Sequence, residues 1–165
     1  LILFLLLFDI FLGALLGLEN WRIEAVFMAM HLRYLEKNYW RSKYSIAFPR
    51  IRPHVGGFTP NYLISDKEFA QMIWAFRIFD NDLEMSLTTR ENQQFRNNMV
   101  DLGITSMSAG SKTDPGGYAL SDTELEQFAT NDNRNPKEMM KMIQDHGYQV
   151  VWKDWDPCFE TERIN

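Results

Sequence analysis

The residues of this chain best suited to chemistry are arginines and hydroxyls placed where short apolar runs give way to turns. Arg50 and Arg52 flank Ile51 in PRIRP (49–53), and alternate residues of an extended segment share a side. Two guanidinium groups on one side suit a carboxylate, whose oxygens match their paired N–H donors. The plain alternative is a pair of surface charges bracketed by prolines. Arg90 stands in TTRE (88–91), where a strand hands over to a helix. A cation is unfavourable at a helix start, so something anionic should compensate it. Glu91 reads as satisfying that helix N-terminus, with Thr88 as its capping partner.

The glycine- and serine-rich stretch SMSAGSKTDPGGYA (106–119) has the look of a phosphate-cradling loop. A P-loop needs a glycine directly before its lysine and a helix directly after, so that backbone N–H groups and the helix N-terminus aim at the anion. Here Ser111 separates Gly110 from Lys112, and Asp114-Pro115-Gly116-Gly117 blocks a helix. The phosphate reading fails. What remains is a strand end with hydroxyls and a rigid turn, either purely structural or suited to hydrogen-bonding a small molecule. His31, His54 and His146 lack ligand spacing, so no metal site is expected. Trp152 and Trp155 in WKDWD read as closing a core, with a pocket wall as the alternative. No nucleophile elbow, dinucleotide fingerprint or His-Asp-Ser set is visible.

The elements that must position these groups follow from periodicity. From Glu19 to about Trp40, the residues Trp21, Ala25, Met28, Leu32, Leu35 and Tyr39 form one helical stripe. YSIAF (44–48), LEMSL (83–87), ITSMS (104–108) and YQVVW (148–152) read as strands. Ser65 and Glu68 make a capping box ahead of the stripe Phe69, Ile73, Phe76 and Phe79. Phe95, Met99 and Leu102 give a shorter helix ending near Gly103, and Asn135-Pro136 opens another. The alternation predicts an α/β fold with parallel strands. Chemistry in such sheets and barrels collects at the strands' carboxyl ends, where the arginines and serines lie.

The chain-wide properties narrow the function. Its 165 residues suit one domain. A formal charge of -5 with scattered basic residues argues against a nucleic-acid partner. One cysteine, Cys158, makes no internal disulfide, which fits a reducing compartment. Nor can it hold an iron–sulfur cluster, which needs about three or four thiolates. The opening LILFLLLFDIFLGALLGL is apolar but for Asp9, and reads as a buried parallel strand over FLGALLGL (11–18). A membrane span over 1–18 is the alternative, and a signal peptide lacks its basic leader and cleavage site. Beginning on leucine, the chain reads as a fragment.

Taken in order, LGALLGL, FPRIRP-VGG, LTTRE--QFR, SMSAGSKTDPGGY, ELEQF and WKDWD resemble the C-terminal half of the 2-iminoacetate synthase family. These are radical S-adenosylmethionine tyrosine lyases of bacterial thiamine thiazole synthesis. The resemblance covers about residues 10–158, leaves 1–8 as an atypical leucine-rich start, and sets a biotin and thiamin synthesis associated region at about 45–155. It implies the C-terminal part of a TIM-type barrel. The implied activity of the complete, cytoplasmic enzyme is cleavage of the Cα–Cβ bond of tyrosine to 2-iminoacetate (dehydroglycine) and p-cresol. Its implied cofactors are S-adenosylmethionine and a [4Fe-4S] cluster, with thiazole synthase receiving the product. The cluster's cysteine motif belongs to the missing N-terminal half, so the chain alone is expected to hold no catalytic or metal-ligating residue and to be inactive. Arg90 matches the family arginine that holds the substrate carboxylate, and Ser108 and Ser111 are implied as further substrate contacts. Arg50 and Arg52 are implied to face S-adenosylmethionine or substrate. The tyrosine lyase of hydrogenase cofactor assembly, tryptophan lyase, and a non-catalytic interaction module are the alternatives.

Overall fold

Strand and helix alternate along the chain, as the hydrophobic periods predict. The computed structural model describes residues 9–52, 57–113 and 129–152. The elements are β1 (Asp9–Gly13), α1 (Trp21–Asn38), β2 (Lys43–Ala47), α2 (Asp66–Phe79), β3 (Glu84–Leu87), α3 (Gln93–Met99), β4 (Ser106–Met107) and α4 (Pro136–Asp145). The four strands pair in the order β1-β2-β3-β4, all parallel. Sequential order with intervening helices is the pattern of an arc of an α/β barrel.

Local chemistry sets the helix ends. The Ser65 hydroxyl accepts from the Glu68 N–H, and the Glu68 carboxylate accepts from the Ser65 N–H, closing the expected capping box. Asn135 and Glu138 do the same for α4, with Pro136 in its first turn. At the other end of α4, Gly147 takes φ +86°, its N–H donates to Gln144 O, and the Tyr148 N–H donates to Ile143 O. That paired C-terminal closure needs a left-handed residue, which glycine supplies without a Cβ clash.

The core lies between the sheet and its helices. Leu12, Ile46, Met85 and Leu87 point from the strands into a cluster with Leu32 of α1, Phe69, Ile73 and Phe76 of α2, and Phe95 and Met99 of α3. The predicted stripe of α1 faces this core through Trp21, Ala25, Met28, Leu32 and Leu35, while Tyr39 caps the helix and stays exposed. On the opposite side of the sheet a different row runs in register: Gly13, Ala47, Ser86 and Ser106. All four are small, so this row adds little bulk to its face, and Ala47 within it is buried.

Three expectations change. The run at 148–152 is not a strand; Tyr148 and Val151 are exposed and pair with nothing in the sheet, since β propensity needs a ladder partner to be realised. Trp152 is exposed rather than closing a core, and Trp155 lies outside the described residues. β4 is shorter than ITSMS suggests, because its ladder with β3 ends at Leu87–Met107. The N-terminal strand lies at Asp9–Gly13, overlapping the expected 11–18 only at 11–13; beyond it Leu16 makes a single bridge to Arg50 before the chain turns at Gly17. Among the described residues no helix is long and apolar enough to cross a membrane. The turn at 114–117 and most of the polar loop after it lie outside the described residues.

Two substitutions grade these contributions. Ile46→Ala, at a position with no exposed surface, should lower unfolding free energy by about 2–5 kcal/mol. Ser65→Ala should cost about 1 kcal/mol through loss of the cap. Denaturant titrations with unchanged slope and shifted midpoint would measure both.

Candidate functional site

The strand ends carry a shell of buried charge. After β2 the chain runs on through Arg50 and Arg52, which share a side as expected and converge on the Glu91 carboxylate. Arg50 donates to Glu91 Oε2 from Nε at 2.9 Å and also from Nη2, and Arg52 Nη2 reaches the same oxygen at 2.9 Å. Arg50 Nη1 also donates to Asp66 Oδ1 at 2.7 Å and to the Ile64 carbonyl at 3.2 Å. The guanidinium lies over Phe69 and Phe95, 5.1 and 5.4 Å from their ring centroids. Burial opposes its charge, but Glu91 and Asp66 outweigh burial and raise its pKa above the ordinary arginine value. The paired arginines thus do bind a carboxylate, and it belongs to the chain itself.

Glu91 does not cap α3. Asn92 takes that position, its Oδ1 accepting from the Phe95 N–H at 2.8 Å. Glu91 is instead buried, with 1% of its surface exposed. Burial alternates after β3: Leu87, Thr89 and Glu91 are buried, whereas Thr88 and Arg90 are half-buried. Arg90 reaches towards the end of β2, with Nη1 3.5 Å from the Arg50 carbonyl. Its pKa is lowered, first by burial and then by the neighbouring charge of Arg52, against a favourable contribution from Glu91. An anion beside Arg90 would relieve both adverse effects.

Ser108 sits just past β4. Its Oγ accepts from the Thr89 N–H at 3.2 Å, and its own N–H donates to Leu87 O at 3.2 Å. The hydroxyl retains a proton to donate. Ser111 is half-buried three residues on. Arg90 and Ser108 therefore both stand at the carboxyl edge, on adjoining strand ends.

A second charge cluster was missed in the sequence. Arg96 of α3 has no exposed surface; it donates to Asp132 through Nη1 and to the Ser108 carbonyl through Nη2. Asp132 also accepts from Arg134, at 2.9 Å from Nε and 2.6 Å from Nη2, and Arg134 Nη1 donates to Asn97 Oδ1 at 2.8 Å. Burial opposes ionisation of Asp132, but its bonds to Arg134 and the charge of Arg96 prevail, holding its carboxyl below the ordinary range. A signal was available: Arg96 sits three residues before core Met99, on the apolar stripe, and a charge there needs a buried partner.

Around the strand ends, Arg50, Arg52, Arg90, Arg96 and Arg134 meet the carboxylates Glu91, Asp132 and Asp66. Among the described residues these are five guanidinium groups to three carboxylates, a set that suits an anionic group on a small ligand. Such a shell fits a carboxylate, whether of a substrate or of S-adenosylmethionine. It does not fit an iron–sulfur cluster, since the chain's one cysteine falls short of the three or four thiolates required. Among the described residues no group of His, Cys, Asp and Glu is arranged to hold a metal ion.

The chain is similar to known proteins over most of its length. The profile of the Biotin and Thiamin Synthesis associated domain matches residues 47–149. The chain is 47% identical over 146 residues to 2-iminoacetate synthase of Salmonella typhimurium and 46% identical to that of Escherichia coli. Each match covers 88% of this chain and 39% of the relative, so the chain spans about two fifths of the curated relatives it matches. Among solved structures, HydG, a maturase of the [FeFe]-hydrogenase, superposes with TM-score 0.77 at 34% identity, covering 85% of this chain and 31% of that one. HydG from Carboxydothermus hydrogenoformans gives TM-score 0.77 at 32% identity, covering 92% and 35%.

The Asp132 cluster makes a pH prediction. A carboxyl held below its ordinary value of 3.8 contributes stability that is complete well above that value and lost as pH falls through the lower folded-state value. Asp132→Asn should be about 3–5 kcal/mol less stable than the parent at neutral pH. The gap should narrow below pH 3.8, which urea titrations of both proteins down the acid range would measure.

Proposed function

We propose, from the premise that the chain belongs to the Biotin and Thiamin Synthesis associated domain family, that it is the C-terminal part of a 2-iminoacetate synthase and that its strand ends hold the carboxylate of tyrosine. The observation that carries this reading is Arg90: half-buried at the carboxyl end of β3, beside Ser108 of the next strand end, with its charge opposed by burial and by Arg52 and favoured by Glu91. A ligand carboxylate there adds to the favourable side. The Ser108 hydroxyl, and Ser111 beyond it, donate to the same zwitterion. We place the tyrosine ring against the row of small residues Gly13, Ala47, Ser86 and Ser106, which are paired in register.

In the complete enzyme, residues outside this chain hold a [4Fe-4S] cluster, which with S-adenosylmethionine supplies the radical that begins Cα–Cβ cleavage. This chain's part is to bind, to orient and to exclude water. Arg50 and Arg52, joined through Glu91, border the proposed carboxylate site. The products are p-cresol and 2-iminoacetate, the latter passed to a cytoplasmic thiazole synthase.

A second reading follows from the likeness to HydG, a maturase of the [FeFe]-hydrogenase: a lyase that serves hydrogenase maturation. Identity favours the first, at 46–47% to 2-iminoacetate synthases against 32–34% to HydG. Tyrosine turnover by the complete enzyme, with p-cresol released and 2-iminoacetate trapped as glyoxylate, would support lyase activity; thiazole formation with added thiazole synthase separates the two roles. Arg90→Ala should weaken tyrosine binding by about 2–3 kcal/mol, the scale of a charge-assisted hydrogen bond. Calorimetry showing parental affinity would refute the assignment.

A further inference from the structure

The ladder between β3 and β4 ends at Leu87–Met107, yet the groups proposed to clamp the substrate, Arg90 and Ser108, lie beyond it. Two direct bonds continue past the ladder, from the Ser108 N–H to Leu87 O and from the Thr89 N–H to Ser108 Oγ, each at 3.2 Å. The segment 131–134 adds a second set that reaches Arg90 itself. The backbone N–H groups of Asn131 and Asp132 both donate to Thr89 O, at 2.9 and 3.1 Å, and Asn131 Nδ2 donates to Arg90 O at 3.1 Å. On the other side, the Gly110 N–H donates to Arg134 O at 3.0 Å, and Arg96 joins Asp132 to the Ser108 carbonyl.

We infer that Asp132, with Arg96, Arg134 and Asn131, is the positioning device of the substrate clamp, tying the backbone of Arg90 to that of Ser108. The inference rests on the tyrosine reading above and adds residues that do not touch the ligand. Asp132 is the node. It is buried with 1% of its surface exposed, and two guanidinium groups share its carboxylate. Both of those groups reach onward: Arg96 to Ser108, Arg134 to Asn97 on α3. A buried ion cluster contributes little net stability compared with well-packed apolar groups. Its forked bonds do fix angles and separations, which a flexible loop beyond a two-residue strand does not.

The division of labour within the cluster makes the inference testable. Asn131 sits at its accessible margin, and removing its amide deletes the bond to Arg90 O while the backbone bonds to Thr89 remain. Replacing Arg134 with lysine keeps a cation beside Asp132 but loses the fork. A role confined to stability follows the charge; a role in positioning follows the geometry.

The experiment uses the complete enzyme, with its cluster and S-adenosylmethionine, and compares the parent with Asn131→Ala, Arg134→Ala, Arg134→Lys and Arg90→Ala. Three quantities are read: melting temperature, tyrosine affinity by calorimetry, and p-cresol formed per 5'-deoxyadenosine. Asn131→Ala is expected to melt with the parent, to bind tyrosine up to about tenfold more weakly, and to release less p-cresol per 5'-deoxyadenosine, because a misplaced substrate wastes the radical. Arg134→Lys is expected to recover the melting temperature lost in Arg134→Ala without recovering tyrosine affinity. Parental affinity and product ratio in Asn131→Ala and Arg134→Lys, with tyrosine binding lost in Arg90→Ala, would overturn the positioning role and leave the tyrosine reading intact. Parental affinity in Arg90→Ala would overturn the tyrosine reading, and this inference with it.

Discussion

The Glu91 carboxylate is the point on which the strand-end architecture depends. It is buried at the junction of β3 and α3, and it draws Arg50 and Arg52 inward from the end of β2. Without it, two guanidinium groups would repel one another against the aromatic floor of Phe69 and Phe95. With it, Arg50 is locked between Glu91, Asp66 and the Ile64 carbonyl, so that β2, the start of α2 and the start of α3 share one fixed point. Placing two charges in a low-dielectric interior is costly, and apolar packing would give comparable stability. What the ion pair adds is direction, since a fork of N–H donors accepts a carboxylate in few orientations.

The same solution appears twice at this edge. Glu91 gathers Arg50 and Arg52, and Asp132 gathers Arg96 and Arg134. Arg90 touches the surroundings of both nodes: its Nη1 reaches the Arg50 carbonyl, and its own carbonyl accepts from Asn131, next to Asp132. Arg90 therefore stands among like charges whose own carboxylates are already engaged. That is why burial and Arg52 lower its pKa despite the adjacent Glu91. An added anion would favour its charged form, which is the physical content of the proposed carboxylate site.

Much of this was legible in the sequence. The α/β order, the capping boxes at Ser65 and Asn135, and the side shared by Arg50 and Arg52 all follow from period, spacing and turn chemistry. The partner of those two arginines did not follow. Glu91 has the spacing of a helix-start residue, and only the fold reveals that Asn92 takes the cap while Glu91 turns inward. The Asp132 node was hidden for a related reason: Arg96 and Asp132 are 36 residues apart, and long-range pairing leaves no local pattern. The run at 148–152 failed in the opposite sense. Its composition favours β structure, but a strand is a property of two segments, and no neighbour receives it.

The row of Gly13, Ala47, Ser86 and Ser106 gives this arrangement a modular character. It carries little bulk and almost no charge, whereas the arginine shell carries the charge. Shape and charge at this edge therefore belong to different residues. Under the proposed reading, substitutions at the four strand positions would change which ring fits while the polar grip on the amino-acid head stays as it is.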